Sequence, residues 1–362
     1  MPAGSRYLAD RYAAIGRALP VAELTLTPTP LSRHALLLDE KRIDLFVKHD
    51  ERSGELYGGN KVRKLDYLLA RARLRGACRI ATFGAVGSHH ALATALYAKR
   101  LGMAATCFLG HQPSTAHVYE TLAAHYVNGS ELVRFGGSRS TRLKLLRRHL
   151  RRDRTWVVPA GGSSWLGAVG CIEAALEFAA QLERSRDLLP TRLYVANGTM
   201  GTAAGLALGL ALAGLPIEIN AVRVTSADYA SRDGTYRLMR KTAAMLHRID
   251  AGFPRDLADR SNIRFRDGFV GDGYTRPSGG SGHAIQVARR QLNIELETTY
   301  TAKAFAALLA DAGSAAAAER LAFWNTYNAQ PLPRAGDFKL EQSGLPEDFA
   351  RYFPSEPAGS ES

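Results

Sequence analysis

Cysteine is scarce in this sequence, with Cys78, Cys107 and Cys171 as its three occurrences among 362 residues. A sparse, odd-numbered set argues against a disulfide framework, and the absence of CxxC and HExxH motifs argues against a metal site. We therefore expect buried thiols, no metal, and a chain that works in a reducing cytoplasm.

Long hydrophobic runs are also missing. The closest, residues 203–215, is rich in Gly and Ala and ends at Pro216, short of the ~18 apolar residues that a membrane-spanning helix needs. Asp10 and Arg11 interrupt the N-terminal stretch, so no secretory signal is expected. Hydrophobic residues make up 46% and charged residues 22%, which excludes a disordered chain or a fibre, and the length favours two domains.

Acidic residues are too few to balance the basic ones: 47 Lys and Arg against 34 Asp and Glu give a formal charge of +13. Residues 142–154 carry seven Lys or Arg and one Asp. Leu143, Leu146 and Leu150 recur there at helical spacing, which predicts an amphipathic surface helix. A nucleic-acid or acidic-partner site on this basic helix is the alternative, although no aromatic residues are interleaved with the charges.

Strand-like and helix-like runs alternate along the chain. Strands are expected at 43–50, 79–85, 104–110, 155–162, 191–198 and 217–224, with helices between them, for example at 62–76 and 90–102. This order predicts an α/β fold with open parallel sheets, helices on both faces, and ligands at the carboxyl ends of the strands.

The first stretch that carries chemistry is Gly58-Gly59-Asn60-Lys61, a glycine turn that delivers a lysine to a helix start. The partial positive charge of a helix N-terminus and partial burial both disfavour an ammonium ion there. A neutral amine is what bond formation with an aldehyde requires, so Lys61 is a candidate Schiff-base lysine. Lys64 fits the same argument, and a solvated lysine is the ordinary alternative.

The second stretch is Asn197-Gly198-Thr199-Met200-Gly201-Thr202, which follows a strand and opens a helix. Small residues, threonine hydroxyls and a helix N-terminus together predict a phosphate cradle, with a packing turn as the alternative. The stretch matches neither a Walker motif nor a GxGxxG motif, so a nucleotide is not favoured.

The third stretch, Gly84 to His90, also runs from a strand into a helix. Ser88 is placed to cap that helix, and the same position suits a substrate carboxylate. Both interpretations stay open. His89 and His90 are adjacent and do not share a helix face, which argues against a metal pair.

Five motifs in this order resemble the D-cysteine desulfhydrase and 1-aminocyclopropane-1-carboxylate deaminase family: GGNKVRKLDYL, GAVGSHHALATALYAKRLG, VPAGGSSWLGAVGCIEAALE, NGTMGTAAGL and ETTYTAKAFAAL. The resemblance extends over residues 28–332. It implies a two-domain fold type II enzyme, similar to the tryptophan synthase β chain, with pyridoxal phosphate as cofactor. Expected domains are a large one of residues 1–60 and 175–340, an inserted small one of 61–174, and a tail of 341–362.

The resemblance also implies roles for individual residues. Lys61 would bond to the cofactor aldehyde and Asn60 would help to hold cofactor or substrate. The phosphate loop would be Gly198, Thr199, Met200, Gly201 and Thr202. Ser88 would lie beside the substrate carboxylate, and Tyr274 would act next to the ring as a proton carrier. Thr326 takes the place of a residue that contacts the pyridine nitrogen.

Two departures from the family pattern stand out. Gly87-Ser88-His89 replaces the common Gln-Ser-Asn, which puts an imidazole where a carboxamide near the ring oxygen is expected. Residues 325–328 read Asn-Thr-Tyr-Asn instead of His-Thr-Gly-Gly. A histidine titrates near neutrality and offers an acid or base that standard members lack.

The implied activity is that of a lyase or deaminase on a small amino acid, by β-elimination from a D-cysteine-like substrate or by ring opening of the cyclopropane acid. An amino-acid racemase or dehydratase on the same fold is the alternative. A homodimer is expected from the resemblance. A catalytically weak protein that binds nucleic acid or an acidic partner through residues 142–154 is the alternative of another class.

Overall fold

The structure is a computed structural model. It describes residues 6–38, 40–151, 154–185, 189–271, 273, 276–314, 319–332 and 346–353. Contacts between Cα atoms divide the chain into two compact units. The first unit is Met1–Arg71 with Gly161–Gln330, and the second is Ala72–Ala160 with Pro331–Ser362.

These limits differ from the domain boundaries expected from the sequence. Residues 61–71 and 161–174 belong to the first unit, whereas the sequence assigned them to the small domain. The expected boundary after residue 174 would divide the continuous helix of residues 165–185. The observed boundaries, after residues 71 and 160, are not marked by any change in amino-acid composition.

The first unit is built on a six-stranded sheet in the order β1-β2-β10-β7-β8-β9. Strand β1 pairs antiparallel with β2 and the other pairings are parallel. Its strands are β1 (Leu31–Leu38), β2 (Lys41–His49), β7 (Arg192–Asn197), β8 (Glu218–Arg223), β9 (Ile263–Arg266) and β10 (Arg320–Asn325).

Helices cover this sheet, and strands and helices together form its core. Phe305 packs edge to face on Phe323 at a centroid distance of 5.0 Å, in a cluster that also contains Tyr194. The helices are α1 (Tyr7–Arg11), α2 (Ala13–Ala18), α3 (Asn60–Leu74), α7 (Trp165–Ser185), α8 (Gly201–Leu212), α9 (Arg232–Ile249), α10 (Leu257–Arg260), α11 (Ser281–Val287) and α12 (Thr301–Ser314).

The second unit holds a four-stranded, fully parallel sheet in the order β5-β4-β3-β6. Its strands are β3 (Arg79–Ala85), β4 (Ala104–Gly110), β5 (Glu131–Arg134) and β6 (Thr155–Val157). Its helices are α4 (His89–Arg100), α5 (Ala116–Asn128), α6 (Arg139–Leu150) and the short α13 (Glu347–Ala350). The α/β class and the parallel sheets predicted from the alternating pattern are confirmed.

Helix α6 is the basic helix anticipated from the sequence, with somewhat different limits. Leu145, Leu146 and Leu150 pack against a cluster around Phe108, while Leu143, expected on the same face, is 46% exposed. Residues 152 and 153 lie outside the described part of the chain. Binding of nucleic acid or an acidic partner to this helix stays a prediction.

The three cysteines differ in their surroundings. Cys107 and Cys171 are buried as expected, but Cys78 is exposed, because it lies between the end of α3 and the first residue of β3. By length and hydropathy alone, residues 165–184 of α7 would qualify as a membrane span. However, 72% of that window is buried inside the protein, as in an ordinary core helix.

The described part of the C-terminal tail, residues 346–353, contacts the second unit. Tyr352 Oη lies 2.5 Å from His111 Nδ1, and Phe353 packs edge to face on Tyr119. Phe349 is 1% exposed. This segment therefore belongs to the packed part of the protein, although its Pro- and Gly-rich surroundings gave no sign of that.

Candidate cofactor site

The glycine turn before α3 lies tightly against the end of β10. Gly59 has a φ of +89°, and a Cβ there would come within 2.4 Å of the Tyr327 carbonyl oxygen. The backbone N–H of Gly58 donates to Asn328 Oδ1 at 2.6 Å. The turn therefore requires glycine, and it fixes where α3 begins.

A buried ionic cluster anchors the first turn of α3. Arg63 donates to Asp50 Oδ1 at 2.7 Å and to Glu177 Oε2 at 3.1 Å, and Lys48 also pairs with Glu177. Burial would raise the pKa of Glu177, but Arg63 and Lys48 bring it down to about 2. Asp50 also accepts from Trp324 Nε1 at 2.7 Å, so the same cluster holds the start of α3 and the end of β10.

Lys61 is the second residue of α3 and is partly buried. Burial is the main cause, and the charge of Lys64 the second, of a pKa of the Lys61 amine that is lowered to about 7. The amine is therefore about half neutral at pH 7 and largely neutral about one pH unit higher, and the neutral form is the one that reacts with an aldehyde.

The first and second motifs of the sequence meet in this unit. Asn60 Nδ2 donates to Thr202 Oγ1 at 2.7 Å. Thr202 is in the first turn of α8, whose N-cap residue, Met200, has a φ of +69° and makes no side-chain capping bond. The N-cap residue of α8 thus provides no side-chain acceptor for the first N–H groups of the helix.

The loop before α8 is lined by hydroxyl groups. Thr199 Oγ1 lies 2.8 Å from Ser163 Oγ, which also accepts from the Gly201 N–H at 3.3 Å. A Cβ on Gly201 would come within 2.6 Å of Ser163 Oγ and 3.0 Å of Lys64 Nζ. Hydroxyl groups, a lysine amine and a helix N-terminus whose own N-cap residue makes no side-chain bond form a donor set that fits a phosphate group.

Lys64 is 1% exposed and donates to the Gly161 carbonyl at 3.1 Å. Burial lowers the pKa of its amine. From the sequence, Lys64 is predicted only as an alternative to Lys61 for the Schiff-base lysine. The structure places its amine beside the loop before α8 instead.

Ser163 and Tyr300 were missed as site residues, although both lie in motifs that carried the family resemblance. Ring carbons of Tyr300 lie 3.2 and 3.6 Å from the position of a Cβ at Gly198. Sequence spacing gives no signal for either contact, because each joins segments far apart in the chain.

Thr326 directly follows β10, and its backbone oxygen lies 2.6 Å from the Cβ position at Gly59. The turn at Gly59 and Asn60 therefore lies against both Thr326 and the loop 198–202 in the first unit, and Lys61 directly follows this turn. Tyr274 lies outside the described residues, so its assignment stays a prediction.

Ser88 and His89 belong to the second unit. Ser88 caps α4, with its Oγ accepting from the Ala91 N–H at 3.2 Å. His89 is the first residue of α4 and is partly buried. The capping interpretation of Ser88 is therefore correct, and its assignment to substrate binding stays a prediction.

The family model of the pyridoxal-phosphate dependent enzymes matches residues 22–326. The chain belongs to this family. Curated relatives include the nocardicin C-9' epimerase of Nocardia uniformis subsp. tsuyamanensis, 32% identical over 85% of this chain and 93% of the relative. A D-cysteine desulfhydrase of Salmonella schwarzengrund is 31% identical over 80% of this chain and 88% of the relative.

Solved structures agree with this assignment. An ACC deaminase homologue covers 87% of this chain and 93% of its own, with a TM-score of 0.70 and 27% identity. A threonine deaminase covers 90% of this chain and 99% of its own, with a TM-score of 0.60 and 20% identity, which speaks for the fold alone. The chain is a pyridoxal-phosphate dependent enzyme of the D-cysteine desulfhydrase and ACC deaminase type, with the fold that the sequence motifs implied.

Proposed function

We propose that this enzyme is a lyase or deaminase that acts on a small amino acid and binds its cofactor covalently through Lys61. The observation that carries the proposal is the Lys61 amine, whose pKa is lowered to about 7 by burial and by the charge of Lys64. Lys61 directly follows Asn60, whose side chain donates to Thr202 in the first turn of α8. An amine with a pKa near 7 is about half neutral at that pH, and the neutral form is the one that captures an aldehyde.

Lys61 is preferred over Lys64 because the two amines have different partners. Lys64 Nζ donates to the Gly161 carbonyl and lies close to Gly201. In that position an ammonium would neutralise a phosphate bound at the start of α8. If Lys64 binds the phosphate, Lys61 is the amine available to bond to the aldehyde of the cofactor.

Pyridoxal phosphate, when bound, supplies a conjugated ring that takes up the electrons of a bond broken at the substrate Cα. The chain would hold its phosphate with Gly198, Thr199, Met200, Gly201 and Thr202. Asn60 is kept in place by its bond to Thr202. Thr326 is proposed for the pyridine nitrogen, and the Lys61 amine would move a proton at Cα once substrate has taken its place.

Ser88, His89 and Tyr274 complete the proposal on the side of the substrate. Ser88 would bind near the carboxylate and the reacting carbon, and Tyr274 and His89 would carry protons. The assignments of Ser88 and Tyr274 rest on matching motif positions, and that of His89 on its replacement of the family's carboxamide. The expectation of a homodimer rests on the family resemblance, and that of a cytoplasmic location on the sparse, odd-numbered cysteines.

The reaction type has two candidates. Resemblance to D-cysteine desulfhydrase favours β-elimination, with release of a keto acid and ammonia. The similarity to an epimerase, at 32% identity, favours reprotonation at the stereocentre without loss of a group. Both need the same proton movement at Cα and differ in whether a group leaves Cβ.

One experiment separates these reactions. The cofactor-loaded protein is incubated in D₂O with both enantiomers of small amino acids, including cysteine, and with the cyclopropane acid. Keto acid, sulfide and deuterium at Cα are measured, with Lys61→Ala as the control. Release of keto acid supports the lyase or deaminase, and deuterium exchange without release supports the racemase. If the wild-type protein gives neither product with any substrate of this class, the proposed substrate class is wrong.

A further inference from the structure

The Gly87 peptide is held on both sides by side chains from one segment of the second unit. The Gly87 N–H donates to Gln112 Oε1 at 3.1 Å, and the Gly87 carbonyl oxygen lies 3.1 Å from His117 Nε2. Both side chains come from residues 111–118, between β4 and the first turns of α5. A carbonyl accepts only, so His117 Nε2 carries the hydrogen and this bond fixes the orientation of the imidazole.

The ring of His117 also packs on the ring of His89. Their centroids are 4.5 Å apart, with 32° between the ring planes. Thr121 Oγ1 donates to the His117 backbone oxygen at 2.7 Å. The His89 imidazole, next to Ser88, therefore lies against a ring that is itself held by the Gly87 backbone.

Space as well as hydrogen bonding links these residues. A Cβ at Gly87 would come within 2.9 Å of Gln112 Nε2 and 3.2 Å of Val118 Cγ2. The Gln112 carboxamide thus occupies the place that a side chain at position 87 would need. Residues of the segment 111–118 therefore leave no room for a side chain at position 87 and pack against the side chain at position 89.

We propose that His117 is a positioning residue for His89, setting the orientation in which the His89 imidazole exchanges a proton with substrate. The proposal rests on the proposed function, in which Ser88 and His89 act on the substrate. Gln112 has a different part, since its side chain accepts from the Gly87 N–H, whereas the His117 ring packs on the His89 ring.

A double-mutant cycle on the cofactor-loaded enzyme tests the dependence of one histidine on the other. The variants are His89→Ala, His117→Ala and both together, assayed by release of product or by exchange at Cα. We expect His117→Ala to lower kcat about tenfold with little change in KM when His89 is present. In the His89→Ala background the same change should lower kcat less than about twofold. Equal factors in the two backgrounds would overturn the proposal.

Gln112→Ala is the matched control for a disturbed loop. It removes the other side-chain bond to the Gly87 peptide and leaves the contact between the two rings. Its effect on kcat should be the same with and without His89. If the effect of Gln112→Ala on kcat depends on His89 as strongly as the effect of His117→Ala does, distortion of the loop explains both effects and the specific role of His117 is refuted.

A readout that needs no activity is the ¹⁵N spectrum of selectively labelled histidines in the protein without cofactor. We expect the Nε2–H form for His117, and a changed His89 signal in His117→Ala but not in Gln112→Ala. An unchanged His89 signal in His117→Ala would contradict the proposal. Because the spectrum is independent of turnover, a protein that shows this coupling but transforms no amino acid would refute the proposed function alone.

Discussion

The turn before α8 and the turn before α4 are both glycine-rich links from a parallel strand to a helix. In the turn before α4, Ser88 caps its own helix, and the side chains of Gln112 and His117 hold the backbone. In the turn before α8, Met200 gives no side-chain cap, and the Lys64 amine and the hydroxyl groups of Ser163 and Thr199 lie nearby. The same sequence pattern therefore yields one helix start that is capped by its own N-cap side chain and one that is not, which is the one proposed to bind the phosphate.

Charge separates the two regions as well. The region around α8 and the start of α3 is held by the buried cluster of Lys48, Asp50, Arg63 and Glu177. The turn before α4 has no such cluster in its described contacts. Buried lysines with lowered pKa values are thus a property of the first region, where aldehyde chemistry is proposed.

The largest expected effect concerns the titration of Lys61. Covalent capture of pyridoxal phosphate by the protein without cofactor should follow the neutral fraction of an amine with a pKa of about 7. The rate should therefore rise with pH through a midpoint near 7, level off above it, and fall as the amine is protonated at lower pH. Stopped-flow absorbance measures this rate.

N-acetyl-lysine, measured in parallel, corrects for the ionisation of the cofactor itself. Its amine has an ordinary pKa near 10.4, so its rate should keep rising through pH 9. A protein profile that is parallel to that of N-acetyl-lysine would show that Lys61 is an ordinary lysine.

The second effect is the loss of the buried cluster. Arg63→Leu leaves Asp50 and Glu177 buried without their guanidinium partner, which should lower the free energy of unfolding by about 3–5 kcal/mol. Urea denaturation measures it. Arg260→Leu is the control, because it removes an exposed pair with Asp256 worth only about 0.3–0.5 kcal/mol. Equal losses in both variants would mean that the cluster does not anchor α3.

The third effect tests the open helix start. Gly201→Ala drives a Cβ toward Ser163 Oγ and Lys64 Nζ and should weaken cofactor binding by about 1–3 kcal/mol, or roughly 5- to 150-fold. Equilibrium titration with pyridoxal phosphate measures the Kd. Gly214→Ala is the control at a glycine with no atom near its Cβ position; its positive φ costs some stability but should leave the Kd unchanged. Equal Kd values for wild type and Gly201→Ala would remove α8 from the phosphate site.

The smallest effect tests the self-capped helix. Ser88→Ala removes the acceptor for the Ala91 N–H and should cost about 1 kcal/mol of stability. Ser88→Asn keeps a capping acceptor and should restore the stability. Thermal unfolding measures both. If the enzyme regains stability but not turnover in Ser88→Asn, the hydroxyl has a role beyond the cap; if neither variant loses stability, Ser88 does not cap α4 in solution.

Local sequence patterns were sufficient to predict the fold class and the limits of two strands, 79–85 and 104–110, as the structure has them. Alternation and helix-start chemistry act between near neighbours in sequence, so they are readable without coordinates. The five motifs likewise predicted the cofactor and the family.

Contacts between distant segments could not be predicted in this way. The approach of Lys64 to Gly201, the bond from Asn60 to Thr202 and the packing of His117 on His89 each depend on how helices and strands pack. The exposure of Leu143 could not be predicted either, because helical spacing defines a face of a helix but not what packs against that face. The unit boundary before α7 likewise depends on contacts between distant segments.

Identification of the lysine that bonds to pyridoxal phosphate tests the central claim most directly. The cofactor-loaded protein is reduced with borohydride, digested, and its peptides are mapped by mass spectrometry. We expect the phosphopyridoxyl group on Lys61 in wild type and in Lys64→Ala, and its loss from this peptide in Lys61→Ala. A group found on Lys64, or no adduct in the peptide that contains both residues, would contradict it.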